Sequence, residues 1–396
     1  MDPEFAVEDS ETSQVAALAR ALHKPLLFWS LPFAFLSFGL PIYGRELGAS
    51  ALEVGGLFSI FTATTLLLRP LVGWALDRFG RRLFFITALG LYAAAMFLFA
   101  IASSLSSLYL ARFIQGIGSS LFWVTLYTIV ADLSTQKDRG RAMGWVSQIT
   151  SRGGIIGGLS GLAVLTALSD GNAWLVVFLG YGVMSLAGTW LAWKDLPETK
   201  ASQVPLFQQG RIPPALLKLM VVAFATGVSQ AMIAPIFIIF LQDQFTTEIG
   251  LLALAALPSG LVSAFFAARL GGLSDRFGRV WMMAAGMTGS GLLAILLPQL
   301  PTLLWLAVFY TLSGITWAIS EPAEASLVAD LTGDSRFGTG YGMYEMAGQI
   351  GFTVGPLLGG LLYDSVARQT PFYINGAVLI AGALWVLLFL GPRLRP

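Results

Sequence analysis

The sequence predicts an all-α polytopic membrane protein, and three observations support that fold class. Hydrophobic residues make up 56% of the 396 residues and charged residues only 11%, whereas charged residues form about a quarter of an ordinary soluble domain. Apolar segments long enough to cross a bilayer as helices, about 20 residues each, follow one another along the whole chain. The sequence does not show the short alternating strands of an outer-membrane barrel.

Polar residues divide the chain into twelve apolar segments. Because lipid offers the backbone no hydrogen-bond partners, each segment must satisfy its own peptide groups, which favours helices. We therefore expect twelve transmembrane helices. The segments are residues 25–44, 52–73, 82–103, 106–131, 141–164, 173–194, 214–241, 249–272, 279–298, 302–329, 339–363 and 370–391.

The distribution of basic residues predicts the orientation. Most Lys and Arg residues lie at the termini and in the loops that follow even-numbered segments, while Arg45 and Arg368 lie in the opposite loops. Positively charged loops stay in the cytoplasm, so we expect an integral protein of a bacterial inner (cell) membrane with both termini inside. The expected parts are a cytoplasmic N-terminus at 1–24 (its first residues resemble a cloning remnant), a first half at 25–194, a linker at 195–213, a second half at 214–392 and a cytoplasmic C-terminus at 393–396.

Several classes of protein are excluded by what the chain lacks. Cysteine is absent and His23 is the only histidine, so no thiolate or multi-histidine metal site can form within one chain. A net charge of +1 does not suit a nucleic-acid partner, and the phosphate-binding loop of ATP-driven transporters is missing. We therefore expect no enzyme, no metal and no bound cofactor, with a proton gradient as the energy source.

An internal repeat runs through the chain. The heptapeptide LDRFGRR at 76–82 returns as SDRFGRV at 274–280, which is 198 residues later and half the chain length away. Other matches keep this offset, including VADL at 130–133 and 328–331, and four glycines of the fifth and eleventh segments. Duplication of a six-segment unit explains why matches at several places share one register.

These residues resemble the Major Facilitator Superfamily of secondary transporters. GWALDRFGRR at 73–82 is similar to the family's signature between helices two and three, and RFIQGIGSS at 112–120 resembles its helix-four signature. The resemblance covers about residues 25–390. It implies two pseudo-symmetric six-helix bundles, a substrate site between them near the middle of the bilayer, and alternating access. It also favours a monomer that binds a small-molecule substrate, protons and membrane lipids.

The repeated charged sequence predicts a conformational latch at the cytoplasmic ends of the helices. Arg81 can pair with Asp132 at the end of the fourth segment, and Arg279 can pair with Asp330 in the second half. Such contacts can form in one state and break in another, while the same arginines also anchor the topology. The predicted latch residues are Gly73, Asp77, Arg78, Gly80, Arg81, Asp132, Asp275, Arg279 and Asp330.

Glycines four residues apart predict close helix packing in the fifth and eleventh segments. The eleventh segment contains GPLLGG and resembles the antiporter signature that exporters of the family usually carry in helix five. The fifth segment departs from that signature at Gly158 and Leu162, so an exporter signature and simple close packing both stay open. The predicted packing residues are Gly153, Gly157, Gly161, Gly351, Gly355, Pro356 and Gly359.

Polar residues inside the apolar segments predict a substrate cavity, because burying a charged side chain in lipid costs on the order of 3 kcal/mol. Arg112 and Arg152 would form a positive wall in the first half. Aromatic residues would line a pocket, with packing in the bundle core as the alternative role. The predicted cavity residues are Arg112, Gln115, Ser119, Trp123, Gln148, Arg152, Trp317, Tyr344 and Gln349.

Three acids in the second half are the predicted proton-coupling residues. Glu321 and Glu345 are the favoured candidates. Glu324 is the weaker one, because it lies one turn nearer the cytosol, where water can solvate it. Hydration and neighbouring charge both change a carboxyl group's affinity for a proton, so alternating access can load the proton on one side and release it on the other.

The function predicted from these features is secondary active transport of a small organic or amphipathic solute, as a proton-coupled exporter. The alternative is an uptake symporter or exchanger for an organic anion, which Arg112 and Arg152 favour. A third interpretation is a channel or lipid scramblase. A transporter saturates and shows counterflow in proteoliposomes, whereas a channel does not.

Overall fold

Twelve helices form the regular structure of the residues described by the computed structural model, which are 21–133, 139–168, 172–198, 213–260, 262, 277–332 and 337–390. Every predicted apolar segment overlaps one of them. In chain order they are α1 (Ala21–Glu46, with a turn at Leu31), α2 (Ala51–Phe79), α3 (Arg82–Ala100), α4 (Leu105–Leu133), α5 (Arg139–Ala167), α6 (Ala173–Asp195), α7 (Pro214–Gln244), α8 (Ile249–Gly260), α9 (Arg279–Leu296), α10 (Leu303–Thr332), α11 (Phe337–Ser365) and α12 (Thr370–Phe389).

Among the described residues, nine helices are long and apolar enough to cross a membrane by length and composition. Helices α5 and α11 are as long as the others, at 29 residues each, but their glycines and polar side chains make them less apolar. The described part of α8 is short. Hydropathy is therefore weaker in α5 and α11 than in the nine candidate spans.

The first of two compact units comprises residues 1–43 and 63–204. Helix α3 packs against both α4 and α6. Buried aromatic rings fill the space beside α3, where Phe122 stacks on Trp29 and on Phe85. The turn within α1 falls at Leu31, directly before Pro32, and a residue before proline is disfavoured in the α conformation.

The second unit comprises residues 44–62 and 205–396. Helix α7 packs along α11 and α12, and α9 packs against α10 and α12. The chain changes unit at residue 204, inside the predicted linker, while the end of α1 and the start of α2 group with the second unit. The boundaries proposed for the two halves as folding domains stay a prediction.

The internal repeat is visible as the same helix pairings in each unit. In the first unit α3 contacts α4 and α6, and in the second unit α9 contacts α10 and α12. The glycine-rich helix of each unit also has an equivalent neighbour, since Gly157 of α5 meets the backbone of Leu31 in α1, and Gly355 of α11 meets the backbone of Val228 in α7. Duplicated sequence has therefore produced duplicated packing.

Candidate functional site

The repeated charged turn requires glycine at one position. Gly80 and Gly278 occupy equivalent places in the two copies, and their φ angles are +85° and +88°. Residues other than glycine rarely adopt this left-handed region of backbone conformation. In the first copy a Cβ atom at Gly80 would also approach the carboxylate of Glu198 too closely. The glycine thus permits the tight turn that directly precedes Arg81 in the first copy and Arg279 in the second.

The first copy holds its arginine in a buried ion pair. The side chain of Arg81 is 4% exposed, and its Nε lies 3.1 Å from Oδ2 of Asp132. Its Nη1 donates to the carbonyl oxygen of Leu76 at 2.9 Å. The predicted pairing of Arg81 with Asp132 is therefore present, and its function as a latch stays a prediction.

Sequence reasoning missed Glu198, which completes this site. Its Oε1 accepts hydrogen bonds from the backbone amides of Arg81, at 2.7 Å, and Arg82, at 3.3 Å. A carboxylate at the start of α3 satisfies amides that have no partner within the helix and is favoured by the helix dipole. The signal that could have identified it is an acid three residues after the end of α6, at the start of the predicted linker.

The second copy is more open than the first. Arg279 forms an ion pair with Asp330, and its Nη1 donates to the carbonyl oxygen of Ser326 at 2.8 Å. Both side chains are far more exposed than those of the first pair, at 32% and 42%. A solvent-exposed ion pair contributes little to stability. The pair in the first copy is therefore expected to stabilise the fold more than the pair in the second copy.

Other predicted latch residues have different surroundings. The guanidinium of Arg78 lies 4.3 Å from the centre of the Trp74 ring and is exposed, which suits an anchor of topology at the membrane surface. A Cβ atom at Gly73 would meet nothing within 4 Å. The side chain of Asp77 and the whole of Asp275 lie outside the described residues.

Removing the charged side chain of Arg81 tests the latch. Arg81→Ala should impair transport at least tenfold and destabilise the fold by roughly 3 kcal/mol, because it leaves a buried carboxylate without its partner. Membrane insertion should stay near normal, since many other basic residues carry the topology signal. Single cysteines introduced into this cysteine-free chain report which residues water-soluble reagents reach.

The double variant Arg81→Asp/Asp132→Arg is the control for that experiment. It keeps both charges and should recover part of the lost activity. Wild-type labelling rates and transport in Arg81→Ala would overturn the latch.

A buried polar cluster surrounds Arg112 in the first unit. Arg112 is 4% exposed and Gln115 is 1% exposed. The Nη1 of Arg112 donates to Oε1 of Gln115 at 2.8 Å, and Nε2 of Gln115 donates to the hydroxyl oxygen of Tyr92 at 3.0 Å. Arg112 and Gln115, which the sequence predicted for the cavity, therefore point into the unit and towards α3. Tyr92 of α3 was not predicted as their partner.

The remaining residues predicted for the cavity in the first unit differ in how far they are buried. Ser119 is buried, and Trp123 is half-buried against the rings of Trp29 and Tyr127. Gln148 and Arg152 of α5 are exposed. Arg112 is thus buried and Arg152 exposed, and the positive wall that they would form stays a prediction. Their contact with substrate stays a prediction.

An acid cluster lies on α10 and α11 of the second unit. Each of its three glutamates lies beside an aromatic side chain. Glu324 accepts a hydrogen bond from the hydroxyl of Tyr344. Trp317 lies one turn before Glu321 on α10, and Tyr341 lies one turn before Glu345 on α11. The three carboxylates are close enough to interact electrostatically. Trp317, Glu345 and Gln349 are half-buried. The predicted proton-coupling residues are thus brought together with Trp317 and Tyr344, which were predicted for the cavity.

Glu324 differs from the expectation that water solvates it at the end of the helix. It is half-buried, next to Ala323, which belongs to a buried apolar cluster with Leu327, and Tyr344 supplies its hydrogen bond. Conversely, Glu321, which the sequence placed deeper, is exposed. Distance along a helix axis does not measure burial, because burial depends on which neighbouring helix covers that face.

A second charged network lies within the second unit, around Asp243 at the end of α7. Its Oδ1 lies 2.7 Å from Nη2 of Arg45, and its Oδ2 accepts a hydrogen bond from Tyr363 at 2.9 Å and lies 3.9 Å from Nε of Arg368. From the sequence, Arg45 and Arg368 were identified only as the basic residues that lie in the opposite set of loops. Arg45 and Asp243 are 198 residues apart, so opposite charges at equivalent repeat positions were the available signal.

Three comparisons with known proteins place these features in a family. A family model described as Major Facilitator Superfamily matches residues 26–221 and 219–396. Multidrug resistance protein 1 of Bacillus subtilis (strain 168) is 24% identical over 380 residues, which are 93% of this chain and 96% of that protein.

Quinolone resistance protein NorA of Staphylococcus aureus (strain MRSA252) is 22% identical over 387 residues, which are 92% of this chain and 95% of that protein. A crystal structure of a bacterial homologue of the human lysosomal transporter Spinster has a TM-score of 0.72 at 15% identity, covering 96% of this chain and 95% of that chain. The fold is therefore shared with a solved transporter.

Proposed function

This chain belongs to the Major Facilitator Superfamily, and from that membership we propose that it is a proton-coupled exporter of small organic or amphipathic compounds. It is an integral membrane protein and a secondary transporter that moves a small-molecule substrate, as its family does. Its relatives are transporters rather than enzymes. Export, protons as the coupling ion, a monomeric state and cytoplasmic termini in a bacterial inner membrane are parts of the proposal.

The observation that supports export is the nature of the relatives. Proteins named for multidrug and quinolone resistance match this chain over more than nine-tenths of its length. A membrane transporter gives resistance to several unrelated drugs most directly by lowering their concentration in the cell. The glycine series of α11, with Pro356 directly after Gly355 in GPLLGG, supports the same direction through its resemblance to the antiporter signature.

The acid cluster of α10 and α11 supports protons as the coupling ion. A carboxyl group can exchange a proton with water as its hydration and neighbouring charges change. Three neighbouring carboxyl groups, one of them hydrogen-bonded to Tyr344, offer a site at which a proton and a cationic substrate would compete. Competition for one site couples the outward movement of substrate to the inward movement of protons.

Transport in proteoliposomes tests the export proposal. Ethidium, as a lipophilic aromatic cation, and a quinolone should accumulate in vesicles with an acid interior when the protein is oriented with its cytoplasmic side outward. Accumulation should saturate and collapse when an uncoupler removes the pH gradient. Accumulation that does not depend on the gradient, or transport of neither compound, would contradict the proposal.

Neutralising the acids one at a time locates the coupling residue. We expect Glu321→Gln, Glu324→Gln or Glu345→Gln to lower pH-driven accumulation at least tenfold while sparing substrate counterflow, because exchange of substrate for substrate moves no net proton. Glu248→Gln is the matched control, since Glu248 is an exposed glutamate of the same unit outside the cluster. If all three variants of the cluster still accumulate substrate against its gradient, none of these acids couples transport to protons.

Transport of an organic anion is the second candidate, and the buried Arg112 favours it. A guanidinium group stays charged at any physiological pH, so an anionic substrate that reaches Arg112 would find a fixed positive partner. The same vesicles distinguish the two proposals: a saturable uptake of an aromatic carboxylate, lost in Arg112→Lys, together with no transport of ethidium, would favour the organic anion.

A further inference from the structure

An open depression lies on the first unit between the start of α3 and the end of α6. It is lined by Arg82 of α3 and by Trp190, Trp193 and Lys194 of α6, and its volume is about 510 Å³. None of these residues belongs to the polar cluster at Arg112 or to the predicted latch. The depression is therefore a separate feature of the unit.

The packing of α3 on α6 brings these side chains together. The first residue of α3 and the last turn of α6 meet at one end of the pair, and Nη2 of Arg82 donates a hydrogen bond to the carbonyl oxygen of Trp193. On α6, Trp190, Trp193 and Lys194 are three and four residues apart and share one helix face. The guanidinium of Arg82 is thus held at the edge of that face.

Among the described residues, neither cation of the depression forms an ion pair with a carboxylate. The ammonium group of Lys194 lies 5.5 Å from the centre of the Trp190 ring, and the Nε of Arg82 is buried without an acceptor among the described residues. The neighbouring acid Glu198 binds the backbone amides of Arg81 and Arg82, and Asp195 is exposed on the next position of α6. An anion is the ligand that this arrangement lacks.

The depression lies where an apolar span meets water. Two candidate membrane spans, Arg82–Ala100 and Ala173–Asp195, have one end there. The side chains of Trp190 and Trp193 are 56% and 61% exposed, as expected of tryptophans at the level of lipid headgroups. The basic loops predict that this end faces the cytoplasm, where anionic lipids attract clustered basic residues.

We propose that this depression binds the headgroup of an anionic phospholipid. The phosphate would accept hydrogen bonds from the guanidinium of Arg82 and the ammonium of Lys194, which are stronger than bonds between neutral groups. The exposed faces of the two tryptophans would contact the glycerol and the first carbons of the acyl chains. A zwitterionic lipid would bring a second, positive group next to two cations and would bind more weakly.

Lipid titration of the purified full-length protein tests this proposal. In detergent, phosphatidylglycerol should raise the melting temperature of the wild type more than phosphatidylcholine does, because a ligand of the native state stabilises it. Arg82→Gln/Lys194→Gln should weaken phosphatidylglycerol binding at least tenfold. Lys218→Gln is the matched control and should bind as the wild type does, since Lys218 also lies over an aromatic ring, that of Phe389 at 4.7 Å.

The single variant Lys194→Gln keeps the hydrogen bond from Arg82 to Trp193. It therefore tests the site even if the double variant does not fold. It should show a smaller loss, and native mass spectrometry should detect less retained phosphatidylglycerol than in the wild type. Equal stabilisation by the two lipids in the wild type would overturn the proposal. So would unchanged phosphatidylglycerol binding in Lys194→Gln and in a folded double variant, or equal stabilisation by inorganic phosphate, since the site would then take a free anion.

Discussion

Replacing Gly157 with alanine should destabilise the first unit by on the order of 3 kcal/mol. A Cβ atom at this position would lie less than 3.0 Å from the carbonyl oxygen of Leu31 in α1, and a backbone atom cannot rotate away as a flexible side chain can. The two helices would have to separate, and the hydrogen bond from the Tyr181 hydroxyl to the Gly157 carbonyl, 2.6 Å long, would be strained. Thermal unfolding in detergent, followed by size-exclusion chromatography, measures the loss.

The chain offers matched controls for this prediction on the same helix. A Cβ atom would meet nothing within 4 Å at Gly144, and its nearest neighbour at Gly154 would be 3.8 Å away. Alanine at these two positions should leave the melting temperature unchanged or raise it, because alanine is the better helix former by about 1 kcal/mol. Equal losses at Gly144 and Gly157 would show that close packing is not the cause.

The repeat provides a second test of the same physics. Gly355 and Gly342 of α11 are the equivalents of Gly157 and Gly144. A Cβ atom at Gly355 would clash with the carbonyl oxygen of Val228 in α7, while one at Gly342 would meet nothing within 4 Å. Gly355→Ala should therefore lower the stability and Gly342→Ala should not. A tolerated Gly355→Ala would mean that α7 and α11 can move apart at little cost.

Replacing Arg112 should have the second large effect, a loss of transport of at least tenfold, which corresponds to about 1.4 kcal/mol. Arg112 donates to Gln115, which in turn donates to Tyr92, and removing a donor from a buried acceptor costs more than the net value of the bond. Arg112→Lys keeps the charge but loses the planar fork of donors. Both Arg112→Lys and Arg112→Ala should therefore impair transport, measured as affinity and maximal rate in proteoliposomes.

A double-mutant comparison separates a connected cluster from independent contacts. Because Arg112 and Gln115 share one hydrogen bond, Arg112→Ala/Gln115→Ala should be little worse than Arg112→Ala alone. Additive losses would indicate that the two residues act separately. Unchanged affinity of Arg112→Ala for every transported compound would remove Arg112 from the substrate site and leave it a residue of the bundle core.

Much of the fold was predictable because lipid imposes it locally. Twelve apolar segments predicted twelve helices, since each stretch of backbone in lipid must bond to itself. The repeat at a fixed offset predicted the pairing of Arg81 with Asp132 and of Arg279 with Asp330, and both pairs are present. Glycines four residues apart marked the helix faces where backbones approach, as at Gly157 and Gly355.

The candidate site was predictable only in part. The sequence named Glu321, Glu324 and Glu345, but ranked Glu324 by its distance along the helix, and its half-buried place beside Tyr344 depends on how α10 and α11 pack. It named Arg112 and Gln115, but not Tyr92, which comes from α3. A stripe of residues on one helix can be read from spacing, whereas its partner on another helix cannot.

The sequence by itself determined the helices, their internal repeat and the family to which the chain belongs. Only the tertiary structure decided that Glu198 binds the amides at the start of α3, that Asp243 joins Arg45 to Arg368, and that α1 covers the glycines of α5. The physical reason is the separation along the sequence of the residues that interact. Solvent and chain stereochemistry act on neighbouring residues and leave a periodic pattern. Contacts between helices join residues that are 20 to more than 300 positions apart and leave no pattern in either segment alone.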